Sequence, residues 1–526
     1  VTNEIHLRPY QLEAHDAWET FCQSGGKRGL INLPTGCGKT ITALALAQKM
    51  MQEKQGRMLW LAHREELIEQ PIRSLPLLWP EATHGIVKAN RNEMDKQCVF
   101  ASVQTVYRRL DKLPTFDLIV VDEAHHALGK TYLDTLEAVG AFEQNGPPVV
   151  GLTATVERGD KKGLDSVFEQ IIYQYPFLQA IRDGYLADLR TQFVKLDANF
   201  DEIRTVAGDL HKGDLEEVLL KADVAKKVAD AYIQYASDRK AIVFTVSVDQ
   251  AKRTAAELLA RGIPAEWLSG QVPSDERKAI LHRLKTGETK VLCNCAVLTE
   301  GFDEPTVDCI VMARPTKSRS LYIQMIGRGT RKAPLKNDCL VLDVTGVSKR
   351  HKLITAPVLF GIEENDKTGT ITERLDWQRD RNHEISRLQS IFKQSQIENE
   401  EVQPNLQWLE AEPGVFALSV GGVGTAVMVQ EQDGWMAKIL KSNHGTERLT
   451  HHPVWRELAQ GIIEDYVRKA GALGLVKQDA SWRKKPASEK QMWALKRWGV
   501  RLSRWLTKGE AADEMTKAIA RRGVGA

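Results

Sequence analysis

Three short stretches carry most of the chemistry this sequence can perform. Residues 33–40 read LPTGCGKT, residues 122–125 read DEAH, and residues 324–331 read QMIGRGTR. A glycine-rich turn running from a buried strand into a helix aims backbone N–H groups at phosphate. Thr35, Gly36, Cys37 and Gly38 would form that turn, Lys39 would neutralise the β- and γ-phosphates, and the Thr40 hydroxyl would meet Mg²⁺. The strict pattern asks for glycine where this chain has Leu33, but Gly36 and Gly38 keep the turn clear of side chains. Asp122 and Glu123 follow an apolar run, at the end of a strand where parallel sheets bind ligands. Asp122 could hold Mg²⁺ through water, and Glu123 could orient or deprotonate an attacking water. ATP and Mg²⁺ are therefore the expected cofactors. Arg328 and Arg331, far along the chain behind a glycine frame, could supply a further cation to the transferring phosphoryl group if the chain folds back over it.

These residues need rigid elements beneath them. Between Gly29 and Thr153 five apolar runs recur: GLINL, MLWLA, CVFAS, DLIVV and PVVGL. Each has strand length without polar alternation, as in parallel strands buried on both faces. Helical patterns such as ITALALAQKMMQ separate several of them, which argues for a doubly wound α/β domain. The rhythm returns from Ala241 in AIVFT, AEWLS, KVLCN, DCIVM and CLVLD. The expected boundaries are 1–178 for an ATP-binding domain and 179–362 for a second α/β domain bearing the arginines. Residues 363–404 would be a polar helical linker, 405–452 a small β-rich module with turn signals (VGGVG, QDGW, SNHG), and 453–526 a basic helical C-terminal domain.

With the motifs in order, the chain resembles a superfamily 2 helicase or translocase of the DEAD/DEAH-box type, over about 350 residues. The resemblance implies two tandem RecA-like parallel-sheet domains and an ATP-driven motor on nucleic acid. LRPYQ resembles an adenine-reading motif, which implies contacts from Arg8 and Gln11. LAHREEL and ASVQT resemble nucleic-acid motifs, implying backbone contacts from His63, Arg64, Ser102, Gln104 and Thr105, with Thr299 and Gly301 as counterparts in the second domain. His125 and the TAT stretch, Thr153 to Thr155, resemble elements that couple hydrolysis to movement. QMIGRGTR fits QxxGRxxR, implying that Arg328 and Arg331 reach the phosphates when the domains close, with Gln324 and Asp303 (in TEGFDEP) completing the interface. More loosely, DVTGVSKRHKLITAPVLFGIE and the terminal ASWRKKPASEKQMWALKRWG look like RadD-like and mitochondrial branch-migration helicases, although the zinc-cluster spacing of the RadD type is missing.

The totals set the limits. At 526 residues, 42% hydrophobic and 27% charged, the chain is an ordinary globular protein of several domains. No run of about 18 apolar residues would cross a bilayer. The opening VTNEIHLRPY lacks the basic start and apolar core of a secretory leader; it also lacks the initiator Met, so processing or truncation is compatible with it. Seven scattered cysteines suit a reducing compartment, and the expected location is cytoplasmic, at the nucleoid. The net charge of +3 hides an asymmetry, since residues 477–526 hold 13 Lys and Arg against 5 Asp and Glu. Lys484 and Lys485 are candidate phosphate contacts there. Trp482, Trp493, Trp498 and Trp505 interleave with these cations. They could stack on bases, or, because Trp498, Leu502 and Trp505 fall at helical spacing, form the core of a small helical domain. DNA that is single-stranded, forked or branched, in repair or recombination, is the leading substrate. RNA is the alternative, although LAHREEL and QMIGRGTR differ from the usual RNA-helicase forms. A nucleotide-gated scaffold without turnover, and a nuclease-coupled motor needing a partner, complete the alternatives.

Overall fold

The structure, a computed structural model, describes residues 5–52, 56–154, 161–206, 208–299, 301–347, 352–362, 369–397, 406, 408–441, 445–470, 481–502 and 504–524. The chain divides into two compact units, the first holding Val1–Glu364 with Thr368–Glu373, and the second Asn365–Lys367 with Arg374–Ala526.

The first unit contains two parallel sheets, here called lobes. The first sheet has eight strands: β1 Arg28–Asn32, β2 Met58–Ala62, β3 His84–Lys88, β4 Arg91–Asn92, β5 Cys98–Ser102, β6 Leu118–Val121, β7 Val149–Thr153 and β8 Gln170–Gln174. They lie in the order β4-β3-β5-β2-β6-β7-β1-β8. All pair in parallel except β4, which is antiparallel to β3. Every residue of β2, β6 and β7 is buried, as the unbroken apolar runs require. The helices α1 Pro9–Gln23, α2 Lys39–Gln52 and α3 Glu66–Leu78 belong to this lobe. Register places Asn32 beside Thr153 and Val121 beside Gly151, so the loops after β1, β6 and β7 emerge at one end of the sheet.

The second sheet has six strands, all parallel: β9 Asp188–Asn199, β10 Ala241–Thr245, β11 Ala265–Leu268, β12 Val291–Asn294, β13 Cys309–Ala313 and β14 Asp338–Val347. Their order is β11-β12-β10-β13-β14-β9. The helix α4, Arg319–Ile326, carries the start of QMIGRGTR. It is anchored by Tyr322, whose buried hydroxyl lies 2.8 Å from both carboxylate oxygens of Asp343 on β14. That phenol is pushed well above its ordinary value by burial and the facing carboxylate, so it stays a neutral donor. Both sheets bear out the doubly wound reading. The apolar runs miss β3, β4, β8 and β9: β4 is exposed, β8 is half-exposed at the sheet edge, and β9 alternates buried and exposed positions.

The second unit is built on a five-stranded antiparallel sheet in sequential order: β15 Leu409–Glu412, β16 Val415–Ser419, β17 Gly424–Glu431, β18 Gly434–Lys441 and β19 Thr446–Arg448. Its helices are α5 Ile371–Ile397, which joins this unit from Arg374, α6 Arg456–Lys469, α7 Glu489–Arg497 and α8 Lys508–Val524. Period-two alternation sends Ala426 and Met428 to one face, where they join Leu458 and Ile463 of α6. Val427 points to the other face and joins Ala520 of α8. The β-rich region expected at 405–452 and the helical region expected at 453–526 therefore share cores within one compact unit.

One expectation from helical spacing fails here. The helix α7 stops at Arg497, and Trp498 caps it with its N–H directed at Ala494 O and Leu495 O. Leu502 and Trp505 lie beyond the helix, so Trp498, Leu502 and Trp505 form no helical stripe. Trp493 and Trp505 are exposed rather than core.

Candidate active site

The loop after β1 is braced from behind by α1. Pro9 opens that helix, where its missing N–H costs nothing, and Arg8 N donates to Gln11 Oε1 at 2.9 Å. The buried Gln11 Nε2 donates to Gly38 O at 3.3 Å and to Thr42 Oγ1 at 3.0 Å. Tyr10 donates its hydroxyl to Cys37 O at 3.0 Å. Burial pushes the Tyr10 phenol up to about 12 and the Cys37 thiol up to about 11, so both are neutral at physiological pH. Gln11 thus spends its amide on the loop, whereas Arg8 lines the open cleft with its guanidinium 5.1 Å from the centre of the Tyr185 ring. Tyr10 stacks on Tyr175 at 4.4 Å and meets Tyr185 edge-on at 4.9 Å.

Within the loop Gly36 has φ 90°, a conformation that a side chain would strain. The helix α2 begins at Lys39, so Gly36 and Gly38 stand at its N-terminal end, where N–H groups lack intrahelical partners. Leu33 N donates to Thr153 O at 3.0 Å, tying the loop to the end of β7. Lys39 Nζ lies 3.5 Å from Leu33 O and 4.0 Å from Glu123 Oε1. Asp122 and Glu123 are each 4% exposed. Asp122 Oδ1 accepts Glu123 N at 2.9 Å, and Glu123 takes φ 48°, a left-handed conformation rare for a residue with a side chain. Glu123 Oε2 lies 3.4 Å from His125 Nδ1. Thr40, Asp122 and Glu123 all line the cleft, and their oxygens are the donors a hard divalent cation such as Mg²⁺ takes.

The second lobe closes the cleft from the other side. Arg328, Arg331, Lys332, Asp303 and Gly301 line it together with Thr35, Gly36, Gly38 and Lys39, around about 1170 Å³ of open space. A methyl carbon added at Gly36 would lie 3.2 Å from Arg331 Cγ, and one at Gly327 would lie 2.8 Å from Thr35 Cβ. The arginine loop and the phosphate-type loop are therefore in contact. Arg331 pairs with Asp303, and burial draws its guanidinium down to about 10, still cationic at neutral pH. Arg328 is buried and donates to Phe302 O at 2.7 Å and Thr299 O at 2.6 Å, holding the TEGFDEP loop. Gln324 is buried on α4 and is not among the cleft-lining side chains.

The remaining candidates fall into separate places. Ser102 Oγ donates to Gln104 Oε1 at 2.7 Å, Gln104 Nε2 donates to His63 O at 3.4 Å, and Thr105 Oγ1 accepts Ala89 N at 3.2 Å. Ser102, Gln104 and His63 thus form a hydrogen-bonded chain at the carboxyl ends of β2 and β5, and Thr105 is tied to the turn after β3. Arg64 crosses between lobes, donating to Val297 O at 3.4 Å, and Glu66 meets Arg277 at 3.1 Å. Gly301, φ 71°, approaches Glu66. Thr299 is buried, with its carbonyl bound by Arg328. Thr153 is buried at the end of β7, and Thr155 lies outside the described residues. Lys484 and Lys485 are exposed in the second unit. Sequence reasoning missed Tyr10, Tyr185 and Lys332. Tyr10 sits inside the LRPYQ motif, and Lys332 directly follows Arg331, but no spacing singled out Tyr185.

Known proteins resemble this chain along most of its length. Three family models match in turn: type III restriction enzyme, res subunit, over residues 4–158; helicase conserved C-terminal domain over 221–333; and mitochondrial helicase Irc3, C-terminal domain, over 375–524. A Saccharomyces cerevisiae protein provisionally named ATP-dependent helicase IRC3 is 34% identical over 374 residues, which cover 68% of this chain. The match spans about half of that relative's length, 54%. A Schizosaccharomyces pombe protein provisionally named mitochondrial ATP-dependent helicase irc3 is 28% identical over 98% of this chain and 90% of its own length. A solved fragment, provisionally an HsdR subunit of a type I restriction enzyme from Vibrio vulnificus YJ016, shares the fold with a TM-score of 0.51 at 23% identity, covering 67% of this chain and 71% of that one.

Proposed function

Since the chain belongs to superfamily 2 of the helicases, we propose that it is a DNA-dependent ATPase that couples ATP hydrolysis to movement along DNA or to its remodelling. The observation that carries this reading is the contact between Arg331 of the second lobe and Gly36 of the first. A cation on one lobe then serves phosphates held by the other, so lobe closure becomes a condition of hydrolysis.

In this reading Thr35 to Thr40 hold the phosphates, with Lys39 against the β- and γ-groups. Thr40 and Asp122 would hold Mg²⁺, which when bound neutralises charge on the phosphate oxygens. Glu123 sits where a water could be oriented, and its strained backbone suits an over-determined functional position. Arg331 meets the charge that develops on the transferring group, a contribution of about 10³ to 10⁵ in rate in related chemistry. Arg328, engaged with Thr299 O and Phe302 O, links that step to the loop that would grip the nucleic acid. Arg8, with Tyr185 beside it, would meet the base, while Gln11 would act through the loop it braces. His125 and Thr153 would relay the state of the site, and Gln324 would support the arginine loop from α4. His63, Arg64, Ser102, Gln104 and Thr105 on the first lobe, with Thr299 and Gly301 on the second, would take alternate hold of the strand.

A nucleic-acid substrate is favoured by the basic surface near Lys484 and Lys485, and DNA over RNA by the forms LAHREEL and QMIGRGTR. The relatives' names specify ATP dependence and helicase membership, without a substrate. Forked or branched DNA is the proposed substrate form. Seven free cysteines accord with a reducing compartment, and the nucleoid is the proposed place of work. Among the described residues no helix is long and apolar enough to cross a membrane.

The test is the steady-state ATPase rate of the intact chain alone and with single-stranded, duplex and forked DNA and matched RNA. Strong stimulation by DNA, greatest with forked DNA, is expected. Equal or greater stimulation by RNA would replace this reading with an RNA motor, and no stimulation by either would remove the motor reading.

A further inference from the structure

Among its described residues the second unit exposes Trp455, Trp493 and Trp505, and the last two stand about α7. Trp493 on α7 is 62% exposed, and Trp505 in the turn before α8 is 57% exposed. The local core is formed by neighbours on the opposite side of α7, Met492 and Leu495, with Leu502 and Leu506 packed against them. A single exposed apolar side chain is ordinary. These two indoles, however, are oriented and stand among cations. Trp505 donates its ring N–H to Ala487 O at 3.2 Å, which fixes the plane of the ring. The Arg497 guanidinium lies 5.4 Å from the centre of the Trp493 ring.

The charge around them is one-sided. Lys484, Lys485, Lys490, Lys496 and Arg501 are exposed in the same region. Of its acids, Glu510, Asp513 and Glu514 are engaged by Arg504, Arg483 and Lys517, which leaves Glu489 at the start of α7 as the exposed acid against five exposed cations. A surface that offers flat apolar faces between uncompensated cations is complementary to a polyanion with flat faces of its own. Single-stranded nucleic acid has that chemistry, because its bases are free to stack while its phosphates meet lysine and arginine. A duplex hides its base faces and could use only the charge.

We propose that the region around α7 binds an unpaired stretch of DNA, with bases stacked on Trp493 and Trp505 and phosphates held by Lys484, Lys485 and their neighbours. The proposal rests on the DNA-motor reading above and adds a second, stacking site to it. Such a site would let the protein recognise a strand that a fork or branch leaves unpaired, independently of the nucleotide cleft.

Stacking and charge respond differently to salt, which makes the proposal testable in the full-length chain. Binding to fluorescein-labelled oligo(dT), to a labelled duplex and to oligo(U) would be followed by anisotropy across a salt series, without nucleotide. Trp493→Ala is expected to weaken oligo(dT) binding by about tenfold with an unchanged salt slope and unchanged duplex affinity. Trp493→Phe, which restores a ring, should recover most of the loss, and Trp505→Phe, which keeps the ring and loses only the N–H, should bind nearly as the parent does. The double variant Lys484→Ala, Lys485→Ala should lower the oligo(dT) salt slope by about 1.4. Oligo(dT) binding by Trp493→Ala equal to the parent's, or a loss shared equally by the duplex, would overturn the stacking site. A parent chain that prefers oligo(U) would overturn the assignment to DNA. The ATPase rate of the parent, measured with the same oligonucleotides, separates these outcomes from failure of the motor reading, which would appear as no DNA stimulation in the unaltered chain.

Discussion

The two lobes of the first unit share an architecture and differ in what they bring to the cleft. The first lobe presents a finished phosphate-type loop. Gln11 and Tyr10 hold it from behind, Thr153 holds its first residue, and the acids of DEAH stand buried at the next strand ends. The second lobe brings cations whose partners lie on their own side, Arg331 with Asp303 and Arg328 with the carbonyls of Thr299 and Phe302. In the proposed reading one lobe binds the nucleotide and the other completes the site when it approaches, so affinity would rest mainly on the first lobe and turnover on the pair.

Substitutions can break that comparison at graded depth. Apart from Arg331 itself, the largest effect is expected for Glu123→Gln, which keeps the size of the side chain and removes its charge: turnover should fall by about 10² to 10⁴ while ATP affinity changes little. Stopped-flow binding of a fluorescent nucleotide beside a phosphate-release assay would check both halves. Lys39→Ala should cost about 10² to 10³ in turnover and, unlike Glu123→Gln, also weaken nucleotide binding clearly. A smaller effect is expected where the lobes touch. Gly327→Ala puts a methyl group 2.8 Å from Thr35 Cβ, so closure must be imperfect; DNA-stimulated hydrolysis should drop by about tenfold with nucleotide affinity preserved, a KM-against-kcat split that steady-state kinetics would show. Smallest of all, Gln11→Ala removes the brace behind Gly38 and should raise the KM for ATP several-fold, in line with about 1–2 kcal/mol for buried hydrogen bonds. A large kcat loss with unchanged KM in Gln11→Ala would place that residue on the wrong side of the comparison.

Legibility in the sequence followed burial. Strands enclosed on both faces, such as Met58–Ala62 and Ala241–Thr245, write unbroken apolar runs and were readable to within a residue. Half-buried edges such as Gln170–Gln174 write no such run, and in Asp188–Asn199 exposed positions interrupt the buried ones, so no continuous apolar run marks that strand. Loops after enclosed strands could be placed from sequence because parallel sheets gather their carboxyl ends. The direction a side chain takes within a loop could not. Gln11 turns inward to Gly38 and Thr42 rather than into the cleft, and Arg328 turns to backbone carbonyls, choices set by hydrogen-bond partners distant in the chain. The Trp498, Leu502, Trp505 spacing misled for a local reason: the helix that would have aligned them ends at Arg497.

The central claim is that Arg331 acts on the nucleotide across the cleft. Its most direct test is single-turnover ATP hydrolysis by Arg331→Ala with saturating single-stranded DNA, with ATP affinity and DNA affinity measured on the same preparation. The account predicts ATP and DNA affinities within a few-fold of the parent and a hydrolysis rate lower by about 10³ or more. A rate near the parent's, accompanied by weakened DNA binding alone, would make Arg331 a nucleic-acid contact and contradict the account.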